Sequence, residues 1–212
     1  MRKKRNAIRQ LLVREAARLM YEDGVDQYLD AKRKAAKRVF GKHTKDLPSN
    51  GEISQELYNL AKFHNGNQHS QTLFKMRLLA MEVMERLDEF SPRLIGSVST
   101  GRIREGSDID LHVFTDRLEL VQAHLERLDW GYEIKQVWIE KSGRPMEFNH
   151  IYLMFEYPIE LSVYPVNEIR VRGRSSTDGK PIERLSVSKV RDLIMDEHSE
   201  EWSDYLNEVV CL

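Results

Sequence analysis

The sequence predicts an α/β (α+β) fold, in which a mixed sheet of about five strands carries helices on one side. A helical N-terminal segment precedes this core and a short helical tail follows it. Apolar side chains recur at three- and four-residue spacing before residue 90, which is typical of amphipathic helices. Between residues 91 and 165, short runs alternate apolar and polar side chains, as strands do. A chain of 212 residues is long enough to bury a full core.

The N-terminal segment is predicted to contain helices joined by polar connections. The first helix is expected to end at residues 22–24 and the second at Gly41, because glycine favours helix termination. Residues 42–52 are polar and indicate a linker or long loop. A short helix is expected over residues 53–63, and the Asn-Gly sequence within residues 64–67 predicts another turn.

The central region is predicted to alternate helices and strands. Residues 73–87 are apolar on several sides and are expected to form a long helix packed directly against the sheet. Asp116 and Glu119 match a capping box and are expected to begin a further helix. Strands are then predicted over residues 132–140, 149–156 and 157–165.

The C-terminal region is basic and loop-like before it becomes helical again. Its loop at residues 175–181 either covers a ligand or is a solvated excursion. Ser186 or Ser188 is predicted to cap the first of two tail helices. The expected segments are a basic helical N-terminal segment (1–66), a central core (67–170), and a basic loop with C-terminal helices (171–212).

Charge is unevenly distributed along the chain, although the formal net charge is only -1. Residues 1–43 contain 13 Lys and Arg against five Asp and Glu, and the remainder contains 20 against 29. This asymmetry indicates an anionic partner for the first segment, such as the phosphates of a nucleic acid. The basic residues of the second helix are equally consistent with the solvated side of an amphipathic helix. They are Lys32, Arg33, Lys34, Lys37 and Arg38.

Composition excludes several classes of protein. The lone cysteine, Cys211, rules out a disulfide framework or a cysteine-based zinc site within one chain. No apolar run approaches the length of a membrane span, and the basic N-terminus lacks the apolar stretch of a signal peptide. A cytoplasmic protein that does not contact membranes is therefore expected.

The segment covering residues 94–114 carries the strongest chemical signal. It contains an apolar strand, a small-residue turn at Gly96 and Ser97, and a second strand that begins with Asp108 and Asp110. Alternate side chains of a strand point the same way, so both carboxylates are expected on one face. Paired hard oxygen ligands suit Mg²⁺. Two acids at the start of a strand also occur as a solvated edge, and the pair alone does not decide between these alternatives.

This segment resembles the signature of the polymerase-β-like nucleotidyltransferase superfamily. The resemblance lies in Gly96-Ser97, ten intervening residues, and then Asp108-Ile109-Asp110-Leu111. The residues Ser99-Thr100-Gly101 and Ser107 most resemble the template-independent RNA-tailing polymerases and the small bacterial members of the group. The similarity covers residues 91–165 and is most specific in its first half.

The resemblance implies a metal-dependent enzyme that moves a nucleoside monophosphate from a nucleoside triphosphate to a hydroxyl acceptor and releases pyrophosphate. Two Mg²⁺ ions, or Mn²⁺ in their place, are implied as cofactors. The implied catalytic and metal-binding residues are Asp108, Asp110 and Glu160. The implied nucleotide-binding residues are Gly96, Ser97, Ser99, Thr100, Arg102 and Ser107.

Glu160 is the candidate for the third acid of the superfamily because it is a polar residue in a run of strand formers. Ile159, Leu161 and Val163 alternate with Glu160 and Ser162, which places the carboxylate on the face opposite the apolar side chains. Many relatives carry Asp at this position. The alternative is an edge-strand charge that prevents aggregation.

The sequence alone leaves open the acceptor, the kind of function and the role of His112. The acceptor is an RNA 3′ end, a small molecule or a protein, and RNA would be held by the basic N-terminal helices. The alternative function is a catalytically silent nucleotide- or RNA-binding module on the same fold, and a structural cation site is a third possibility. His112 shares the face of Asp110 and either contacts substrate or is a satisfied polar residue under a loop.

Overall fold

The computed structural model describes residues 2–41, 44, 46–141, 144–171, 173–175 and 179–210. The helices are α1 (Arg2–Tyr21), α2 (Tyr28–Phe40), α3 (Asn50–Arg86), α4 (Gly96–Thr100), α5 (Leu118–Arg127), α6 (Val187–Glu197) and α7 (Ser199–Val210). The strands are β1 (Arg93–Ile95), β2 (Ile109–Phe114), β3 (Tyr132–Lys141), β4 (Arg144–Met154) and β5 (Pro158–Tyr164). Short 3₁₀ helices cover Asp88–Phe90 and Val166–Arg170. Cys211 and part of the predicted loop at residues 175–181 lie outside the described residues.

The chain divides into two compact units. The first, here called the helical unit, comprises residues 1–69 and 174–180. The second, called the sheet unit, comprises residues 70–173 and 181–212. Helix α3 contributes its first part to the helical unit and the rest to the sheet unit. None of the helices in the described part of the chain has both the length and the apolar character that crossing a bilayer requires.

The sheet unit contains a five-stranded mixed sheet in the order β1-β2-β5-β4-β3, which confirms the predicted fold class. Strands β2 and β5 are parallel, and the other neighbouring pairs are antiparallel. Because the strands alternate apolar and polar residues, the apolar side chains share one face of the sheet. That face packs against α3, α5 and α6, which bury it. The strand residues at the centre of this core include Ile109, Leu111, Ile151, Ile159 and Leu161.

The helical unit has a core of its own. Leu12, Ala16 and Leu19 of α1 are buried with Ala31 and Ala35 of α2. The alanines have small side chains, which allow the two helices to approach closely. Helix α2 ends at Gly41 as predicted, because Gly41 adopts the left-handed conformation and its N–H donates to the carbonyl of Lys37 at 2.9 Å.

Helix α3 corrects two predictions. The loop expected over residues 42–52 is shorter, because α3 already begins at Asn50. The turn expected at residues 64–67 does not form, because these residues lie inside the continuous helix Asn50–Arg86. A glycine inside a helix costs only about 1 kcal/mol relative to alanine, and packing along a helix of this length outweighs it. The Asn-Gly turn signal was therefore overridden by the apolar residues on both sides.

The helix caps also differ from the predicted ones. Asp116 does not cap α5, which begins at Leu118. The Asp116 carboxylate instead accepts a hydrogen bond from the Val166 N–H at 3.1 Å. A capping box forms at Ser49 and Glu52, where the Glu52 N–H donates to Ser49 Oγ at 3.2 Å and the Ser49 N–H donates to Glu52 Oε2 at 2.7 Å. Ser186 caps α6 as predicted.

Candidate active site

Three carboxylates converge at one end of the sheet. Asp110 lies on β2 and Glu160 lies on β5, and the two residues are directly paired in the parallel ladder. Asp108 lies just before β2 begins, and its carboxylate is the most exposed of the three. One oxygen from each residue lies within 4.8 Å of the others, so the cluster could bind a metal ion.

The local sequence accounts for this arrangement. Ile109, Leu111 and Val113 of β2 are fully buried in the core, so the alternate residue Asp110 must project from the opposite face. The same alternation on β5 buries Leu161 and places Glu160 beside Asp110. A parallel pair in register therefore brings together two acids that are 50 positions apart.

The electrostatics of the cluster favour a cation. Burial, followed by the negative charges of Asp108 and Glu160, raises the pKa of Asp110 to about 7. Carboxylates that share a site are destabilised by mutual repulsion, and a divalent ion between them relieves it. The donor set consists of carboxylate oxygens, which are the ligands that Mg²⁺ and Mn²⁺ prefer. The residues present therefore fit the implied cofactor.

Glu160 is held by neighbours on β4 and β5 that the sequence analysis did not identify. Nδ1 of His150 lies 2.7 Å from Oε1 of Glu160, and this contact is the largest cause of a lowered pKa at Glu160. The Tyr152 hydroxyl also donates to Glu160, and Ser162 Oγ lies 3.5 Å away. The sequence predicted a strand over residues 149–156 but no role for His150 or Tyr152, since only the β4–β5 register shows that these residues meet Glu160.

His150 also has an unusual environment. The residue is only 9% exposed, and its contact with Glu160 departs from the direction of an aligned hydrogen bond. Its Nε2 atom is buried without a hydrogen-bond partner among the described residues. Buried polar groups are nearly always paired, so this nitrogen beside the acid cluster is a candidate contact for a ligand or a water molecule.

His112 occupies the same face one row beyond Asp110. Its Nδ1 accepts a hydrogen bond from Nε of Arg184 at 3.0 Å, and burial, with the Arg184 charge next in importance, lowers the pKa of His112 to about 3. The Arg184 guanidinium also lies over the ring of Phe114, 5.1 Å from its centroid, and donates to backbone carbonyls of the segment that follows β5, including that of Glu168. These contacts favour the interpretation of His112 as a satisfied polar residue under a loop.

Helix α4 provides the small-residue turn beside the acids. Gly96 has a φ of +74°, and a β-carbon placed on it would overlap Oδ2 of Asp110 and lie 3.0 Å from Cγ of that residue. The glycine is therefore required by the close approach of Asp110 as well as by its own backbone conformation. Ser97 follows directly and is half-buried.

The remaining predicted nucleotide-binding residues lie on α4 or on the segment between α4 and β2. Ser99 and Thr100 donate their hydroxyl protons to the carbonyl of Gly96, at 2.9 and 3.1 Å. Ser107 Oγ accepts from the N–H of Arg104 at 2.9 Å. Arg102 and Ser107 are half-buried. A hydroxyl has a single proton, so Ser99 and Thr100 in this state present only lone pairs to a ligand.

Comparison with known proteins leaves the family of this chain unassigned. No protein-family model and no curated protein matches the sequence. Among solved structures, one similar chain comes from the GLD-2/RNP-8 complex, with 18% identity and a TM-score of 0.28. The similarity covers 50% of this chain and 44% of the chain from that complex, so this protein spans less than half the length of the other chain. A TM-score of this size does not establish a common fold.

Proposed function

We propose that this protein is a nucleotidyltransferase that moves a nucleoside monophosphate from a nucleoside triphosphate to a hydroxyl acceptor, with release of pyrophosphate. The observation that supports this proposal is the convergence of Asp108, Asp110 and Glu160 within 4.8 Å, with the glycine of α4 packed against Asp110. An acid cluster that could bind divalent ions, next to a small-residue turn, suits transfer from a triphosphate. The resemblance of the Gly96-Ser97 and Asp108-Ile109-Asp110 segments to the superfamily supports the same reaction.

The three acids have distinct roles in this proposal. Asp108 and Asp110 would hold two divalent ions, and Glu160 would hold the one beside the acceptor. When bound, such ions stabilise the attacking and the leaving oxygens of an in-line displacement. His150 and Tyr152 keep the longer Glu160 side chain in one position, so that its carboxylate meets those of the aspartates.

Nucleotide transfer needs no reactant other than the triphosphate and the acceptor. A bond forms between the acceptor oxygen and the α-phosphorus, and the bond from that phosphorus to the bridging oxygen of pyrophosphate breaks. The acceptor proton passes to Glu160 or to solvent. Ser97 and the backbone of α4 hold the phosphates that leave, and Arg102 adds positive charge. Ser99 and Thr100 can donate to phosphate only after releasing the Gly96 carbonyl.

Incubation with each α-labelled nucleoside triphosphate, Mg²⁺ and a total cell extract tests the proposal and identifies the acceptor. We expect label to be transferred by the wild-type protein and not by the Asp110→Asn variant. The Asp192→Asn variant is the matched control, since Asp192 lies on α6 with a side chain that is 64% exposed. Transfer by Asp110→Asn at the wild-type rate would refute the assignment.

Thermal unfolding separates the proposed enzyme from the other functions. A ligand that binds only the folded state raises the unfolding temperature. Protection that requires ATP and Mg²⁺ together supports the transferase if label is also transferred. The same protection without transfer to any acceptor would indicate a silent nucleotide-binding module. Protection by Mg²⁺ alone, unchanged by ATP, would indicate a structural cation site.

A further inference from the structure

Arg77 of α3 is a charged residue buried in the sheet unit. Its side chain is only 1% exposed. Nε donates to the backbone carbonyl of Val98 in α4 at 3.2 Å. Nη1 donates to Glu197 Oε2 at 2.7 Å and to His198 Nε2 at 3.2 Å. One guanidinium therefore joins α3, α4 beside the acid cluster, and the end of α6.

The contact with Val98 pairs a backbone carbonyl that α4 cannot pair within itself. A helix of five residues cannot pair its last carbonyls within itself, and those groups need other donors. The N–H groups of Gly101 and Arg102 both donate to the carbonyl of Ser97, which leaves the Val98 carbonyl to Arg77. A β-carbon placed on Gly101 would lie 3.5 Å from Nη2 of Arg77, so the guanidinium also packs against the end of α4.

The other end of the guanidinium is fixed at the junction of α6 and α7. Arginine is a donor only, so the Nε2 atom of His198 accepts and its Nδ1 carries the proton. That Nδ1 lies 3.4 Å from Ser70 Oγ, and the His198 ring is packed against Phe74. Glu197 supplies the charge that a buried arginine requires. Arg77 is thus held at both ends and has little freedom to move.

We infer that Arg77 is a positioning residue for the triphosphate: it fixes α4 against α3 and the α6–α7 junction, so that Ser97 and the α4 backbone meet the leaving phosphates. This inference rests on the proposed function. Arg77 contacts the backbone of α4 and not the acid cluster, so it acts on nucleotide binding and not on the reacting atoms. Interactions that are the same in the ground state and the transition state change KM and leave kcat unaltered.

The Arg77→Met variant tests the inference in two ways. We expect KM for the nucleoside triphosphate to rise about tenfold or more, with kcat little changed, because small misplacements of binding groups have large effects. We also expect faster hydrogen exchange at the amides of Gly101 and Arg102, which donate within α4. The Arg191→Met variant is the matched control, because Arg191 joins α6 to Glu85 of α3 at 2.6 Å on the exposed surface.

The inference can be tested even if the Arg77→Met variant does not fold. An unchanged KM and unchanged exchange in α4, or equal effects from Arg191→Met, would overturn it. If Arg77→Met does not fold, the Glu197→Gln variant replaces it, because it keeps Arg77 and removes its carboxylate partner. Wild-type exchange in α4 of that variant would also overturn the inference. If the wild-type protein transfers no nucleotide, the proposed function fails, while the exchange measurement still tests whether Arg77 positions α4.

Discussion

Gly96 and the carboxylate of Asp110 are in such close contact that no other residue fits at position 96 without moving the acid. A β-carbon on Gly96 would overlap Oδ2 of Asp110, and the φ of +74° disfavours every residue with a side chain. The glycine of the turn and the second acid of the strand are therefore a single structural feature, although 13 residues separate them in the sequence.

The Gly96→Ala variant is expected to displace the Asp110 carboxylate and to abolish nucleotide transfer. The Gly106→Ala variant is the matched control, since Gly106 has the same φ of +74° but nothing within 4 Å of its added β-carbon. Both variants incur the strain of a left-handed alanine, about 1 kcal/mol. Only Gly96→Ala should lose Mg²⁺ binding, measured by titration calorimetry. Equal loss in both variants would show that backbone strain alone explains the effect.

The Asp110→Asn variant is expected to be more stable than the wild-type protein when EDTA removes divalent ions. The folded-state pKa of Asp110 is raised to about 7 from its ordinary value of 3.8, so the folded protein retains a proton that the unfolded chain releases. This group therefore lowers stability as pH rises from 3.8 to about 7, and its effect is constant above that range. The asparagine has no such dependence, because it carries no charge.

Urea unfolding across that pH range measures the difference. We expect the two proteins to be similar below pH 4, and the variant to be more stable by up to about 4 kcal/mol above pH 7. Adding Mg²⁺ should reverse the order, because the wild-type cluster binds the ion and the variant has lost a ligand. A wild-type protein that is the more stable at pH 8 in EDTA would contradict the raised pKa.

The fold was predictable because strands and helices have different periods. Alternation identified β2 and β5, and three- and four-residue spacing identified α1 and α2. The turn predicted at residues 64–67 was wrong, because the Asn-Gly signal is local whereas the stability of α3 comes from packing along its whole length. The capping boxes show the same limit. Both Ser49 and Asp116 precede a glutamate by three positions, but only Ser49 forms the box.

The acids of the site were also visible in the sequence, because the alternation that buries Leu111 and Leu161 determines where their neighbours Asp110 and Glu160 project. The residues that support them were not visible. His150 meets Glu160 only through the β4–β5 register, and Arg77 meets Val98 only through the packing of α3 on α4. Contacts between distant segments follow from tertiary packing, which no local pattern in a single sequence specifies.

The capping box of α3 is expected to stabilise the helical unit in a pH-dependent way. Glu52 accepts two hydrogen bonds from Arg9, both at 2.6 Å, and one from the Ser49 N–H at 2.7 Å. The bond with Arg9 is the largest cause that lowers the pKa of Glu52 to about 2 from its ordinary value of 4.5. A depressed pKa means that the stabilisation is present above pH 4.5 and is lost as pH falls towards about 2.

The Glu52→Gln variant should therefore be less stable than the wild-type protein at pH 7, by about 1 kcal/mol, and the difference should shrink as pH falls below 4.5. Glu56→Gln is the matched control, because Glu56 lies one turn later on α3 and faces Arg14 at 3.7 Å without a capping role. Thermal unfolding monitored by circular dichroism at pH 7 and pH 3 measures both variants. If Glu52→Gln and Glu56→Gln lose the same stability at pH 7, the box adds nothing beyond a surface ion pair, and α3 begins at Asn50 for other reasons.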